Sequence, residues 1–101
     1  MPRLAAGRYL AIEDGDEIVL LPLDSDLVHV GRSPAASIVL DDASVSRRHA
    51  LITRRGERTV ILDDRSLNGV QVNGTRVGEA ELHDGDSVTI GRVQLRFVER
   101  K

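Results

Sequence analysis

Three short stretches of this chain carry the residues best suited to chemistry: Gly31-Arg32, Ser44-Val45-Ser46-Arg47-Arg48-His49 and Ser66-Leu67-Asn68-Gly69. Each sits between apolar runs, where a strand protein keeps its loops. Together they supply guanidinium groups, hydroxyls, a carboxamide and flexible glycine backbone. That inventory suits a fixed dianion such as phosphate: the planar Arg32 fork can give two parallel charge-assisted hydrogen bonds, and Ser and Asn add neutral donors. Each residue also has a plainer reading. Arg32 could be an exposed strand-end arginine, Ser46 could bond its own loop backbone, and Asn68 could be a turn residue ahead of Gly69.

Bond-making chemistry fits less well. His49 lies three residues after Ser46, but a nucleophilic serine needs its base within hydrogen-bond reach and a third group orienting that base. In an extended segment a separation of three puts the two side chains on opposite faces. No catalytic role is expected. Asp41-Asp42, Asp63-Asp64 and the Asp84/Asp86 pair do not form a loop with the six to eight oxygen ligands that calcium takes. The three histidines are scattered without metal-ligand spacing. Neither a metal nor a cofactor is expected.

The elements that must position these loops are strands. A chain of 101 residues is one domain by length, and with aromatics at 2 % (Tyr9 and Phe97) its core must be aliphatic. Without cysteine, packing alone holds it. A net charge of -2 argues against a general nucleic-acid or membrane-surface binder. Thirteen of the fourteen cationic residues are Arg, which codon bias in a GC-rich genome would also produce. No apolar run approaches membrane-spanning length and no signal-peptide core follows Met1, so a soluble, cytoplasmic protein is expected.

Apolar segments of four to seven residues, broken by Gly, Asp, Asn, Ser and Pro, predict strands at 9–13, 17–21, 27–30, 38–40, 49–54, 59–63, 70–72, 76–77, 81–82, 87–90 and 93–99. In the last, Val93, Leu95 and Phe97 alternate with Gln94 and Arg96. Asp14-Gly15, Asp84-Gly85 and Asn73-Gly74 read as hairpin-type turns, the two Asp-Gly-Asp runs using one turn chemistry twice. Gly91-Arg92 repeats the Gly31-Arg32 dipeptide but is distant in sequence from the Ser and Asn loops, and is assigned to a turn. A helix over 44–54 is the rival. It lacks a capping box, because Arg47 stands where Glu or Gln would, and it contains β-branched Val45, Ile52 and Thr53. Many short strands in one domain mean a sandwich or small barrel, and a sandwich could bring all three loops to one end.

Gly31-Arg32-Ser33, Ser46-Arg47-Arg48-His49-Ala50, Ser66-Leu67-Asn68-Gly69 and Val72-Asn73-Gly74 resemble, in order and spacing, the forkhead-associated (FHA) domain. No single motif is specific; four in order on a strand-rich chain are. The resemblance implies an all-β sandwich of two mostly antiparallel sheets with about eleven short strands, over residues 8–99, with a flexible terminus at 1–7 and a tail at 100–101. It also implies binding of phosphothreonine in partner proteins of serine/threonine kinase signalling: a kinase, its substrate or a flanking region of the same polypeptide. By family position, Arg32, Ser46 and the Leu67 backbone would bind phosphate. Arg47 and Asn68 would hold the peptide, and Gly31, His49, Ser66 and Gly69 would brace the loops. Leu67 departs from the Thr common there, so its side chain cannot donate a hydrogen bond. No nucleic acid or membrane partner is expected, and a monomer is. The alternatives are a phosphate-independent interaction domain on the same sandwich and, less favoured, a small Ser/His hydrolase.

Overall fold

The computed structural model describes residues 5–101; residues 1–4 of the expected flexible terminus lie outside the described residues. Eleven strands follow in order: β1 Gly7–Asp14, β2 Glu17–Pro22, β3 Leu27–Gly31, β4 Ile38–Val39, β5 Ala50–Arg55, β6 Arg58–Asp63, β7 Val70–Val72, β8 Thr75–Val77, β9 Glu79–Leu82, β10 Ser87–Ile90 and β11 Val93–Arg100. No helix forms over 44–54, as the missing capping box and β-branched residues require.

The strands make a six-stranded sheet, β2-β1-β11-β10-β7-β8, and a five-stranded sheet, β4-β3-β5-β6-β9. All pairings are antiparallel except β3 with β4. Side-chain alternation fixes which face of each sheet turns inward. In the larger sheet, Ile12, Leu95, Val88 and Val72 pair in one row, and Val93, Ile90, Val70 and Val77 in the next. Opposite them, Val28, Ile52, Ile61 and Ala80 form a row of the smaller sheet. Leu10 pairs with Phe97, and both are fully buried. A one-residue slip in any strand would turn its whole apolar set to water, so the register is strongly specified.

The turns divide by job. Gly15 takes φ 65° in a two-residue hairpin between β1 and β2, and Asn73 and Gly74 take φ 50° and 83° between β7 and β8. Asp84-Gly85 corrects the sequence reading. Gly85 has φ 90°, but the turn joins β9 of one sheet to β10 of the other, so it is a crossover and not a hairpin. Glycine conformation alone cannot distinguish the two. What commits this turn is Asp86, whose carboxylate accepts the His83 N–H (2.8 Å) and the Asn73 side-chain amide (3.0 Å). Gly7 and Arg100 pair at the end of the sheet away from the Gly91-Arg92 turn.

Burial acts to raise the Asp86 carboxyl, but hydrogen bonds from Asn73 and His83 and the nearby His83 ring outweigh it and hold it below the ordinary value. A group depressed in the native state contributes stability that is present above its unfolded value and lost as pH falls through its native one. Asp86→Asn should therefore flatten the decline of the urea midpoint between about pH 4 and pH 2 relative to wild type.

Candidate functional site

One rim of the sandwich gathers the ends of strands from both sheets. β3 ends there at Gly31, β5 begins at Ala50, β6 ends at Asp63, β7 begins at Val70, and β10 turns into β11. The loops at 40–49 and 64–69 and the turn at 91–92 therefore meet, the second of them spanning from the smaller sheet to the larger.

The 40–49 loop is laid against the end of β3. Arg32 N–H donates to the Ser46 carbonyl (2.9 Å), Ser33 N–H to the Arg47 carbonyl (3.2 Å) and His49 N–H to the Val30 carbonyl (3.0 Å). The approach is so close at Gly31 that a Cβ there would collide with the Arg47 carbonyl oxygen. Glycine is required at this position by space rather than by backbone angle.

His49 is fully buried and joins two loops. Its Nδ1 accepts the Ser46 backbone N–H at 2.9 Å and its Nε2 lies 2.8 Å from the Gly69 carbonyl. The neutral ring with hydrogen on Nε2 satisfies both contacts. The Ser46–His49 segment bends here instead of running extended, so the ring does reach back to Ser46. It meets the main chain, not the hydroxyl, and both ring nitrogens are engaged. That arrangement braces a loop and offers no base to Ser46 Oγ.

Three polar side chains lie above this brace, anchored within residues 44–46 and 67. Arg32 Nε donates to the Val45 carbonyl (3.0 Å), which fixes the guanidinium while its two terminal NH2 groups have no partner among the described residues. Ser46 Oγ accepts the Leu67 N–H (3.0 Å), leaving its own hydrogen available to an acceptor. Asn68 Nδ2 donates to the Ser44 carbonyl at 2.8 Å, leaving Oδ1 unpartnered. Ser66 Oγ accepts the Gly69 N–H (2.8 Å), and its own N–H donates to Asp63 Oδ1 (2.8 Å), so it stabilises the loop. Gly69 lies beneath the Arg76 guanidinium at φ 85°, a left-handed backbone that favours glycine. The Leu67 amide is engaged with Ser46, and its side chain is 83 % exposed at the rim.

Of the two adjacent arginines, Arg48 lies 3.4 Å from the Asp64 carboxylate, whereas Arg47 is exposed with no ion pair among the described residues. Ser44 is the organising residue that sequence reading missed. Its hydroxyl donates to Asp42 Oδ1 (2.6 Å) and accepts the Arg92 N–H (2.8 Å), and its carbonyl holds Asn68. Those Ser44 hydrogen bonds, aided by the Arg92 charge and against slight burial, keep the Asp42 carboxyl below its ordinary value. Gly91-Arg92 is a turn, with Gly91 at φ 62°, yet it lies directly against the Ser44 loop. Sequence distance hid that contact.

The FHA domain sequence model matches residues 28–91, nearly two thirds of the chain. The chain belongs to the FHA domain family. Among relatives, this FHA domain is 43 % identical over 76 residues to the glycogen accumulation regulator GarA of Mycolicibacterium smegmatis, covering 75 % of this chain and 48 % of GarA. A domain solved in a structural and functional analysis of phosphothreonine-dependent FHA domain interactions superposes with TM-score 0.84 at 30 % identity, covering 95 % of this chain and 99 % of that one. Mycobacterium tuberculosis EmbR, solved with a low-affinity phosphopeptide, superposes at 0.84 and 37 % identity, covering 93 % of this chain and 24 % of EmbR. The chain spans about half of most of the curated relatives it matches, and 8 % of one.

Two substitutions test the bracing. His49→Ala removes a buried ring and leaves the Ser46 N–H and Gly69 carbonyl unpaired, and should cost about 3 kcal/mol in urea unfolding. Gly31→Ala should push the 40–49 loop off β3, seen as amide shifts centred on residues 44–49 with smaller changes in the far halves of the sheets.

Proposed function

We propose that this FHA domain, taken as residues 8–99, binds phosphothreonine-containing segments of partner proteins and carries out no chemical step. The observation that carries the reading is the convergence of the Arg32 terminal NH2 groups, the Ser46 hydroxyl hydrogen and the Asn68 side chain, each fixed by one contact and open at the other end. Phosphate brings about -1.5 to -2 charge and three strong acceptor oxygens at neutral pH, which matches the Arg32 and Ser46 donors without a cofactor. Arg32 and Ser46 take the phosphate, with the Leu67 N–H as a further donor if it is shared between Ser46 Oγ and the ligand. Asn68 Oδ1 accepts a peptide N–H, and Arg47 faces the peptide. Gly31, His49, Ser66 and Gly69 hold the loops in place.

The phosphothreonine-dependent interactions described for one structural neighbour and the phosphopeptide bound to EmbR support this assignment. The partner is a serine/threonine kinase, its substrate or a flanking region of the same polypeptide, and the setting is the cytoplasm. No helix among the described residues is long and apolar enough to cross a membrane. One feature favours a second, phosphate-independent contact: β2 is an edge strand that exposes Ile18, Val19 and Leu20. Partner binding that survives Arg32→Ala would belong to that surface.

Titration with threonine peptides, with and without phosphate, tests the reading. Only the phosphorylated form should bind. Arg32→Ala and Ser46→Ala should each weaken it roughly tenfold to a hundredfold, the range for losing a hydrogen bond to a charged group. Asn68→Ala should weaken it less. Equal affinity for phosphorylated and plain peptides would overturn the proposal.

A further inference from the structure

Beside the Arg32–Ser46–Asn68 trio lies a second basic depression, of which the peptide-binding reading uses only Arg47. It is an open groove of about 770 Å³ lined by Ser33, Arg47, Arg48, Asp64 and Arg65. The Arg48–Asp64 pair is internally neutral, which leaves Arg47 and Arg65 as its net charge. Both are exposed, and neither has an ion pair or side-chain hydrogen bond among the described residues. Ser33 Oγ accepts the Ala35 N–H (3.1 Å), so its hydroxyl hydrogen is also available.

Arg65 stands out for its backbone. Its φ of 60° lies in the left-handed region, where glycine or asparagine is comfortable and a long side chain is not. The neighbours impose this angle: Asp64 N–H is tied to the His49 carbonyl (2.9 Å) and Ser66 N–H to Asp63 Oδ1 (2.8 Å). The loop would form more easily with glycine at 65. A guanidinium placed there at the expense of the backbone, next to a second free guanidinium, is the pattern of strain retained for a ligand.

We infer that the Ser33, Arg47 and Arg65 groove is a second anion subsite, which takes a further phosphorylated or acidic residue of the same partner segment that the trio holds. The inference rests on the phosphothreonine reading. The groove adjoins the trio through Arg32-Ser33 on one loop and Ser46-Arg47 on the other, so one extended chain can reach both. Two guanidiniums and a hydroxyl match a second phosphate better than a carboxylate, because a phosphate offers three acceptor oxygens and more charge. Asp64 stands at the edge of the groove, but its charge is opposed by Arg48 at 3.4 Å.

The test uses synthetic peptides of about eleven residues with one fixed phosphothreonine. A phosphoserine, a glutamate or an alanine is placed two, three or four residues to either side. At one placement, phosphoserine should tighten binding about three- to tenfold over alanine at about 0.15 M salt, with glutamate intermediate and the gain shrinking as salt rises. Arg65→Gly should remove most of this gain, leave the singly phosphorylated peptide within about twofold, and raise or preserve the thermal midpoint by relieving the backbone. Arg65→Glu should turn the gain into a penalty. If no placement gives a gain while the single phosphothreonine binds normally, or if the gain survives Arg65→Glu, the second subsite is wrong and the first stands. If phosphorylated and plain peptides bind alike, both fall together.

Discussion

The buried imidazole of His49 is the contact on which this rim depends. It is the only buried imidazole among the described residues, in an interior that is otherwise mostly aliphatic, and each nitrogen reaches a different loop. Through Ser46 N–H it holds the loop that follows β4, and through the Gly69 carbonyl it holds the segment that crosses from β6 to β7. The two loops belong to connections that would otherwise move independently. Pinning both to one rigid, satisfied group sets the spacing of Ser46 and Asn68 before any ligand arrives, which lowers the ordering cost of binding.

The rim is cationic although the chain as a whole carries a net charge of -2. The acids near it are not absent; they are engaged. Asp42 receives the Ser44 N–H and hydroxyl, Asp63 receives the Ser66 N–H, and Asp64 faces Arg48. The arginines are disposed differently: among the described residues, Arg32 is fixed through Nε alone, and Arg47 and Arg65 have no acidic partner. Acids serve as internal loop supports and guanidiniums are presented outward. A local positive field then persists on an acidic protein, and such a field governs encounter with a charged partner more than net charge does.

Much of the architecture was legible because several strands alternate. Val93, Leu95 and Phe97 declare an inward face, and the same two-residue period in β3, β5 and β10 leaves one consistent way to stack the sheets. That the loops carrying Arg32, Ser46 and Asn68 meet was legible because loops at strand ends gather at one rim once a sandwich forms. Contacts set by tertiary distance were not legible. Ser44 gave no sign of holding Arg92, which is 48 residues away. Asp84-Gly85 has hairpin composition, and only the partner of Asp86 reveals a crossover. That the His49 ring reaches back to Ser46 was not legible either, because a bend over 46–49 leaves no trace in residue type. The left-handed backbone of Arg65 is likewise imposed from outside, by hydrogen bonds on either side of it.

Gly7 and Arg100 lie side by side, at the opposite end of β11 from the Gly91-Arg92 turn. Seven residues of strand separate that end from Val93, a distance of roughly 23 Å. A polypeptide that arrives at Gly7 and departs at Arg100 does so as two adjacent threads on the blunt side of the sandwich. Anything attached to either thread hangs away from the 40–49 and 64–69 loops, like a handle behind a blade. Such a body can be grafted into hosts of very different length with those loops unobstructed.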